Sequence, residues 1–495
     1  MDKRQDLKSI LPYLPLLVRE STLFWPSKVV EALKSMAKGP EHSRVNSGEM
    51  LSVAICDIRS SVSLLEPLAP FALNGYALFF DDLVSRAEST KWFEEVLPAL
   101  ANFLLQLPSL LESHYQNADD FLKRCGNKTG LRILGRQEAG IVFLSQELIG
   151  ALLACSFFCL FPVTNRGSNH LPTINFDELF ASLYESYSEN QENKIKCIVH
   201  YFERISSSMP VGSVSFERKV LPLDHHPLFI SYPDADAWSK SVIPLCPFEA
   251  HSLGLMEDHS TDSLQVDFAN KYIGGGALRR GCVQEEIHFM INPELIAGML
   301  FLPSMADNEA IDIVGAERFS DYNGETNKAL CGFIDQSNFG QYEKLFPDGG
   351  LYEANDEDNM PRNKFLLQEG SSTAIETNED KSVNPMLRNS DPKSSQFRNH
   401  KGFPGIVTGN WGCGAFGGDP ELKAIIQWLA ASQALRPLMS YYTFGVEALE
   451  NVGQVTQWIL SHEWTVGDLW NMMVEYSSQR LKGETSVGFF TWLLP

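Results

Sequence analysis

The sequence predicts an α/β protein with an all-helical N-terminal domain, and three observations carry that expectation. Up to about residue 205, apolar side chains recur at helical spacing. From Gly212 onward, short β-branched and aromatic runs take over. Between those runs stand helix starts in which a capping residue is followed by proline and an acid. Strands interleaved with helices bury their apolar sides as a sheet with helices on its faces.

In the N-terminal region Leu7, Ile10, Leu11, Leu14 and Leu17 make one helical stripe, and Leu97, Leu100, Leu104, Leu107 and Leu110 another. Breaks are expected at Gly39-Pro40, at Asn117 to Asp120 and at Gly167 to Asn169. The apolar run Leu148 to Val163 is shorter than the roughly 20 residues of a spanning helix and reads as a buried core helix. No acid, base or ligand cluster stands out here, so this domain, 1–205, reads as a packing scaffold. In 206–495 the expected strands are Ser213 to Val220, Leu264 to Phe268, Ile287 to Ile291, Ile311 to Val314, Ile406 to Thr408 and Met439 to Phe444. Helices are expected after Asn292-Pro293-Glu294 and Asp419-Pro420-Glu421. Residues 340–401 are polar and read as a disordered insertion.

The 495 residues carry a formal net charge of -22, which argues against a basic surface gripping nucleic acid along its length. A polyanionic substrate would have to be held locally, and no direct DNA binding is expected. The nine cysteines contain no Cys-x-x-Cys pair, which suits a reducing compartment and gives no zinc site. The N-terminus shows no secretory or organellar signal, so nucleus or cytoplasm is expected, with no membrane.

Two glycine-rich segments carry the chemistry. The first runs Gly274-Gly275-Gly276-Ala277-Leu278-Arg279-Arg280-Gly281-Cys282-Val283-Gln284-Glu285-Glu286. Successive glycines let backbone N–H groups approach phosphate or ribose oxygens. Burial of the tandem glutamates would raise at least one pKa and leave a neutral acid able to protonate a leaving oxygen, as glycoside cleavage requires. Because Ile287 to Ile291 reads as a strand, whose side chains alternate, the two carboxylates are expected to share a pocket only from the preceding loop. The second segment, Thr408 to Pro420, contains Gly412, Gly414 and Gly417 as G-x-G-x-x-G between a strand and a capped helix. A helix N-terminus behind a glycine loop favours phosphate. A dinucleotide-binding Rossmann unit is therefore an alternative, although no acidic residue follows at the next strand end. An ADP-ribose moiety would satisfy both readings.

VDFANKYIGGGALRRGCVQEE resembles the signature of the poly(ADP-ribose) glycohydrolase family, and TGNWGCGAFGGD resembles its diphosphate-binding loop. The likeness covers most of the chain and leans toward plant members. It implies a macrodomain-type mixed sheet flanked by helices that cleaves ribose–ribose O-glycosidic bonds, without metal or cofactor. Its substrates would be poly(ADP-ribose) and poly(ADP-ribosyl)ated proteins. By the same resemblance Glu286 is the acid/base, Glu285 holds ribose hydroxyls, and Asp267 is the third acidic position. Met256, Glu257, Asn270 and Gln284 would contact adenine or ribose, with Gly274, Gly275 and Gly276 close to the substrate. Asn410, Trp411, Gly412, Cys413, Gly414, Ala415 and Phe416 would form the diphosphate and ribose loop.

One departure stands against the family pattern. After Gly324 the family continues with a tyrosine that packs on adenine, whereas Glu325 stands here and Asn327-Lys328-Ala329-Leu330 follows at once. A block with a further strand is absent, and an impaired relative that at most binds ADP-ribose is the alternative expectation.

Overall fold

A computed structural model of the chain describes residues 4–223, 233–254, 256, 263–267, 269–320, 404–410, 413 and 417–494. Six expected site residues, Glu257, Trp411, Gly412, Gly414, Ala415 and Phe416, lie outside these, as do Glu325 and the 340–401 insertion.

The N-terminal region is mainly helical. Helix α1 (Leu97–Cys125) buries Leu97, Leu100, Leu104, Leu107 and Leu111 along one stripe and ends on Gly126 in the left-handed region. It runs straight through Asn117 to Asp120, where a break was expected. Burial of Tyr115 and Ala118 continues the stripe, and Asp119 is taken up by Arg4, so polar composition alone does not end the helix. Strands occur here that the periodicity does not anticipate: the hairpin Leu17–Arg19 with Thr22–Phe24, and β1 (Gly140–Ser145). Ser145 caps α2 (Gln146–Phe157), which is buried on nearly every side as the apolar run predicts. Helix α3 (Asp177–Glu185) follows, then α4 (Glu189–Ser207), whose buried face carries Lys194, Ile195, Ile198, Tyr201 and Phe202.

Strand β2 (Ser213–Val220) pairs antiparallel with β1 and, on its other side, with β5 (Glu309–Val314). Arg218 and Glu309, both fully buried, meet across β2 and β5 at 2.6 Å. Glu309 also accepts from the Gln137 side chain at 3.1 Å, and Arg218 donates to the Pro303 carbonyl. A second, four-stranded parallel sheet has the order β3 (Phe248–His251), β7 (Met439–Tyr442), β6 (Gly405–Gly409), β4 (Ser263–Gln265). Helix α5 (Gln284–Ile291) and a 3-10 helix (Pro293–Leu300) stand between β4 and β5 in the chain. Between β6 and β7 comes α6 (Pro420–Gln433), and Asp419 caps it by accepting from Glu421 and Leu422 as expected. One hydrophobic core runs from Leu7 to Phe319, across the boundary at residue 205.

Candidate active site

The four strands of the parallel sheet end on one edge, and the loops leaving that edge carry the residues singled out in the sequence. Asp267 and Asn270 follow β4, Asn410 follows β6, Phe444 follows β7, and Met256 comes after β3. In open sheets of parallel strands the carboxyl ends are where ligands settle.

The tandem glutamates do not begin a strand. Ile287 to Ile291 belongs to α5, and Glu285 and Glu286 lie in its first turn. A five-residue run with four apolar members fits a strand or a buried helix equally well, which is why periodicity misassigns it. Glu286 itself helps start the helix: its Oε2 accepts from the Val283 N–H at 3.0 Å, the reach-back half of a capping box. Neighbouring helical positions are about 100° apart, so both side chains can face the loop that precedes them.

That loop wraps the carboxylates with backbone donors. Glu285 accepts from the N–H of Asn270 at 2.8 Å and of Gly274 at 2.7 Å. Glu286 Oε1 accepts from the Gly276 N–H at 2.8 Å. Gly275, at φ +48, lies between them: a Cβ there would sit 2.6 Å from Glu286 Oε1 and 2.7 Å from Glu285 Oε2. Glycine at 275 is thus needed to let the backbone close on two acids. Gln284 is buried and reaches the Val266 carbonyl at 3.4 Å through Nε2. Its Oε1 is buried with no partner among the described residues.

Burial is the main cause that raises the Glu285 carboxyl well above the usual carboxylate range, and the negative charges of Asp267 and Glu286 add to it. The N–H groups of Asn270 and Gly274 pull the other way and are outweighed. Glu285 therefore keeps a proton near neutral pH, beside the negative charges of Asp267 and Glu286. Such a cluster can protonate a leaving oxygen and hold hydroxyl groups at the same time.

Two supporting residues carry no signal in the sequence motifs. Lys194, on α4, places its Nζ 2.6 Å from the carbonyls of Arg279 and Gly281 and 3.4 Å from that of Gly276. Gln427, on α6, donates to the Gly409 carbonyl at 3.0 Å and meets the Thr408 hydroxyl, fixing the end of β6. Both are polar residues inside an otherwise buried helix face, the only hint available beforehand. Asn410 spends its side chain within the fold, donating to the Thr443 carbonyl at 2.8 Å and accepting from the Tyr441 hydroxyl at 3.2 Å. Met256 packs on Val407, Tyr442 and Phe444. Burial pushes the Cys413 thiol up to about 11, which leaves it protonated at neutral pH. Among the described residues no group of three His, Cys, Asp or Glu side chains is placed to hold a metal ion.

The sequence matches the helical domain of poly(ADP-ribose) glycohydrolase over residues 84–218. It matches the macro-domain fold of the same family over 235–329 and 325–451. The chain is 55% identical to poly(ADP-ribose) glycohydrolase 1 of Arabidopsis thaliana over 549 aligned positions, covering all of this chain and 98% of the relative. It is 51% identical to the probable poly(ADP-ribose) glycohydrolase 2 of that plant, covering all of this chain and 99% of the relative. Similarity reaches poly(ADP-ribose) glycohydrolase 1 of Caenorhabditis elegans at 33% identity, over 57% of this chain and 35% of that one.

Proposed function

The chain belongs to the poly(ADP-ribose) glycohydrolase family, and from that premise we propose that it hydrolyses the ribose–ribose O-glycosidic bonds of poly(ADP-ribose) and releases ADP-ribose. The observation that carries the proposal is the pair Glu285 and Glu286, each buried and held by backbone donors of the glycine loop. In this reading Glu286 gives its proton to the leaving ribose oxygen and then takes one from the incoming water. Glu285, with Asp267 behind it, accepts from ribose hydroxyls. The partnerless Oε1 of Gln284 supports a contact with a ligand N–H or hydroxyl beside them. The N-terminus of α6, which follows β6 in the chain, suits the diphosphate.

Polymer hydrolysis by the purified full chain, with ADP-ribose quantified as product, tests this directly. In Glu286→Gln turnover should fall by about 10²-fold or more while ADP-ribose still binds. Unchanged turnover would remove Glu286 from the reaction.

One observation favours a second reading, a relative that binds ADP-ribose with impaired turnover. The macro-domain match falls in two parts that overlap at residues 325–329, and the alignment with the first plant relative is longer than this chain, which supports the loss of a segment after Gly324. Grafting a relative's segment between Gly324 and Asn327 should then raise melting temperature and hydrolysis together. Parity of the unmodified chain with the relative in both would dismiss this reading.

A further inference from the structure

The glycine loop is held from the opposite half of the chain. Lys194 lies on the buried face of α4, and its Nζ meets the carbonyls of Gly276, Arg279 and Gly281. Three carbonyl oxygens turned toward one point repel each other, and an ammonium with three N–H donors satisfies them together. A neutral amine has two donors and turns a lone pair toward the third oxygen. The grip is transmitted through Gly276, whose carbonyl faces Lys194 while its own N–H donates to Glu286 Oε1 at 2.8 Å. Gly281 presses on the same side chain, since a Cβ there would lie 2.7 Å from the Glu286 Cδ. Farther out, Arg279 pairs with Glu178, and Arg280 with Glu185 at 3.0 Å. Those pairs are half-exposed, so each contributes little; Lys194 is buried.

We propose that Lys194 is a positioning residue for glycosidic cleavage: its ammonium ties the carbonyls of Gly276, Arg279 and Gly281 and so aims the Gly276 N–H that holds the Glu286 carboxyl. The inference rests on the glycohydrolase reading and adds to it a residue from the helical region. Its protonation gives the role a signature. Burial lowers the Lys194 pKa to about 8, opposed by Cys282 on the loop and Glu286 on α5. Above that pH the third donor is lost.

Full-length wild type, Lys194→Met and Lys194→Arg are compared for polymer hydrolysis between pH 6 and 10, for ADP-ribose affinity and for melting temperature. Lys194→Met should lower kcat by about 10- to 100-fold, the scale on which displaced reacting groups lose rate. KM and ADP-ribose affinity should change by less than about threefold. Lys194→Arg stays charged throughout this range, so its kcat relative to wild type should climb as the pH passes 8. A kcat for Lys194→Met within twofold of wild type overturns the proposal. So does a Lys194→Arg to wild-type ratio that is flat with pH. Should the wild type bind ADP-ribose yet hydrolyse nothing, the glycohydrolase reading fails by itself. Amide exchange of the 274–283 segment then decides on Lys194: faster exchange in Lys194→Met upholds its grip on the loop, and equal exchange refutes it.

Discussion

Replacing Gly275 by alanine probes the closing of the loop on two acids. The added methyl would stand 2.6 Å from Glu286 Oε1 and 2.7 Å from Glu285 Oε2, against an ordinary contact of 3.4 Å or more. Each oxygen must therefore retreat by about 0.7 Å, since the methyl sits on rigid backbone. Neither can do so freely, because Glu286 Oε1 is held by the Gly276 N–H and Glu285 Oε2 by the Asn270 N–H. Leaving a buried N–H without its acceptor costs about 1–3 kcal/mol, and alanine at positive φ costs a further 1–2 kcal/mol or so. Even one of these bonds lost with the strain comes to roughly 3 kcal/mol. In the reacting state a similar misplacement lowers kcat by about 10²-fold. Gly483 supplies the comparison: it sits at φ +73 with nothing within 4 Å of an added methyl. Gly483→Ala should then cost only the strain and leave turnover intact. The assay pairs urea denaturation with polymer hydrolysis for both variants. Turnover of Gly275→Ala within threefold of wild type would show that the loop does not hold the acids where the structure has them.

Stability should carry the mark of Glu285. Its carboxyl keeps a proton in the fold that the unfolded chain, at about 4.5, releases. Past pH 4.5 the folded state thus holds a proton that the unfolded state has lost, and stability falls as pH rises until the folded pKa is passed. Wild-type melting temperature should fall relative to Glu285→Gln across that window, and a difference that ignores pH would contradict the raised pKa. Glu309→Ala, which leaves the fully buried Arg218 without its partner, should cost about 3–5 kcal/mol in denaturant titration. A loss under 1 kcal/mol would mean that water reaches Arg218. Gln427→Ala should weaken ADP-ribose binding more than it lowers Tm, because it frees the end of β6 at Gly409; unchanged affinity would separate Gln427 from the ligand loop.

Much of this was legible in residue order. Ser213–Val220 forms the expected strand, Asp419 caps its helix, and the Gly274–Glu286 segment brings three glycines and two acids together. What escaped depends on partners far along the chain. Gly140–Ser145 is a strand because residues 213–218 pair with it, and six residues carry little propensity of their own. Glu285 and Glu286 start a helix because Glu286 reaches back to Val283, a contact that the alternation of Ile287 to Ile291 does not reveal. Lys194 lies 82 residues before Gly276, and its one mark, a cation on the buried face of its helix, does not name the carbonyls it meets.

The antiparallel sheet has a bearing on how the chain is made. Its strands β1, β2 and β5 leave the ribosome in that order, and Arg218 waits 91 residues for Glu309. At synthesis rates of about 5–20 residues per second, that interval is roughly 5 to 20 s. Throughout it the unpaired edge of β2 and the apolar surface later covered by the 3-10 helix Pro293–Leu300 are open to solvent or to chaperones. The N-terminal half therefore leaves the ribosome before it can finish folding. A message cut short between residues 218 and 309 would yield a chain prone to aggregation, with a cation and no counter-charge at the place meant to become its interior.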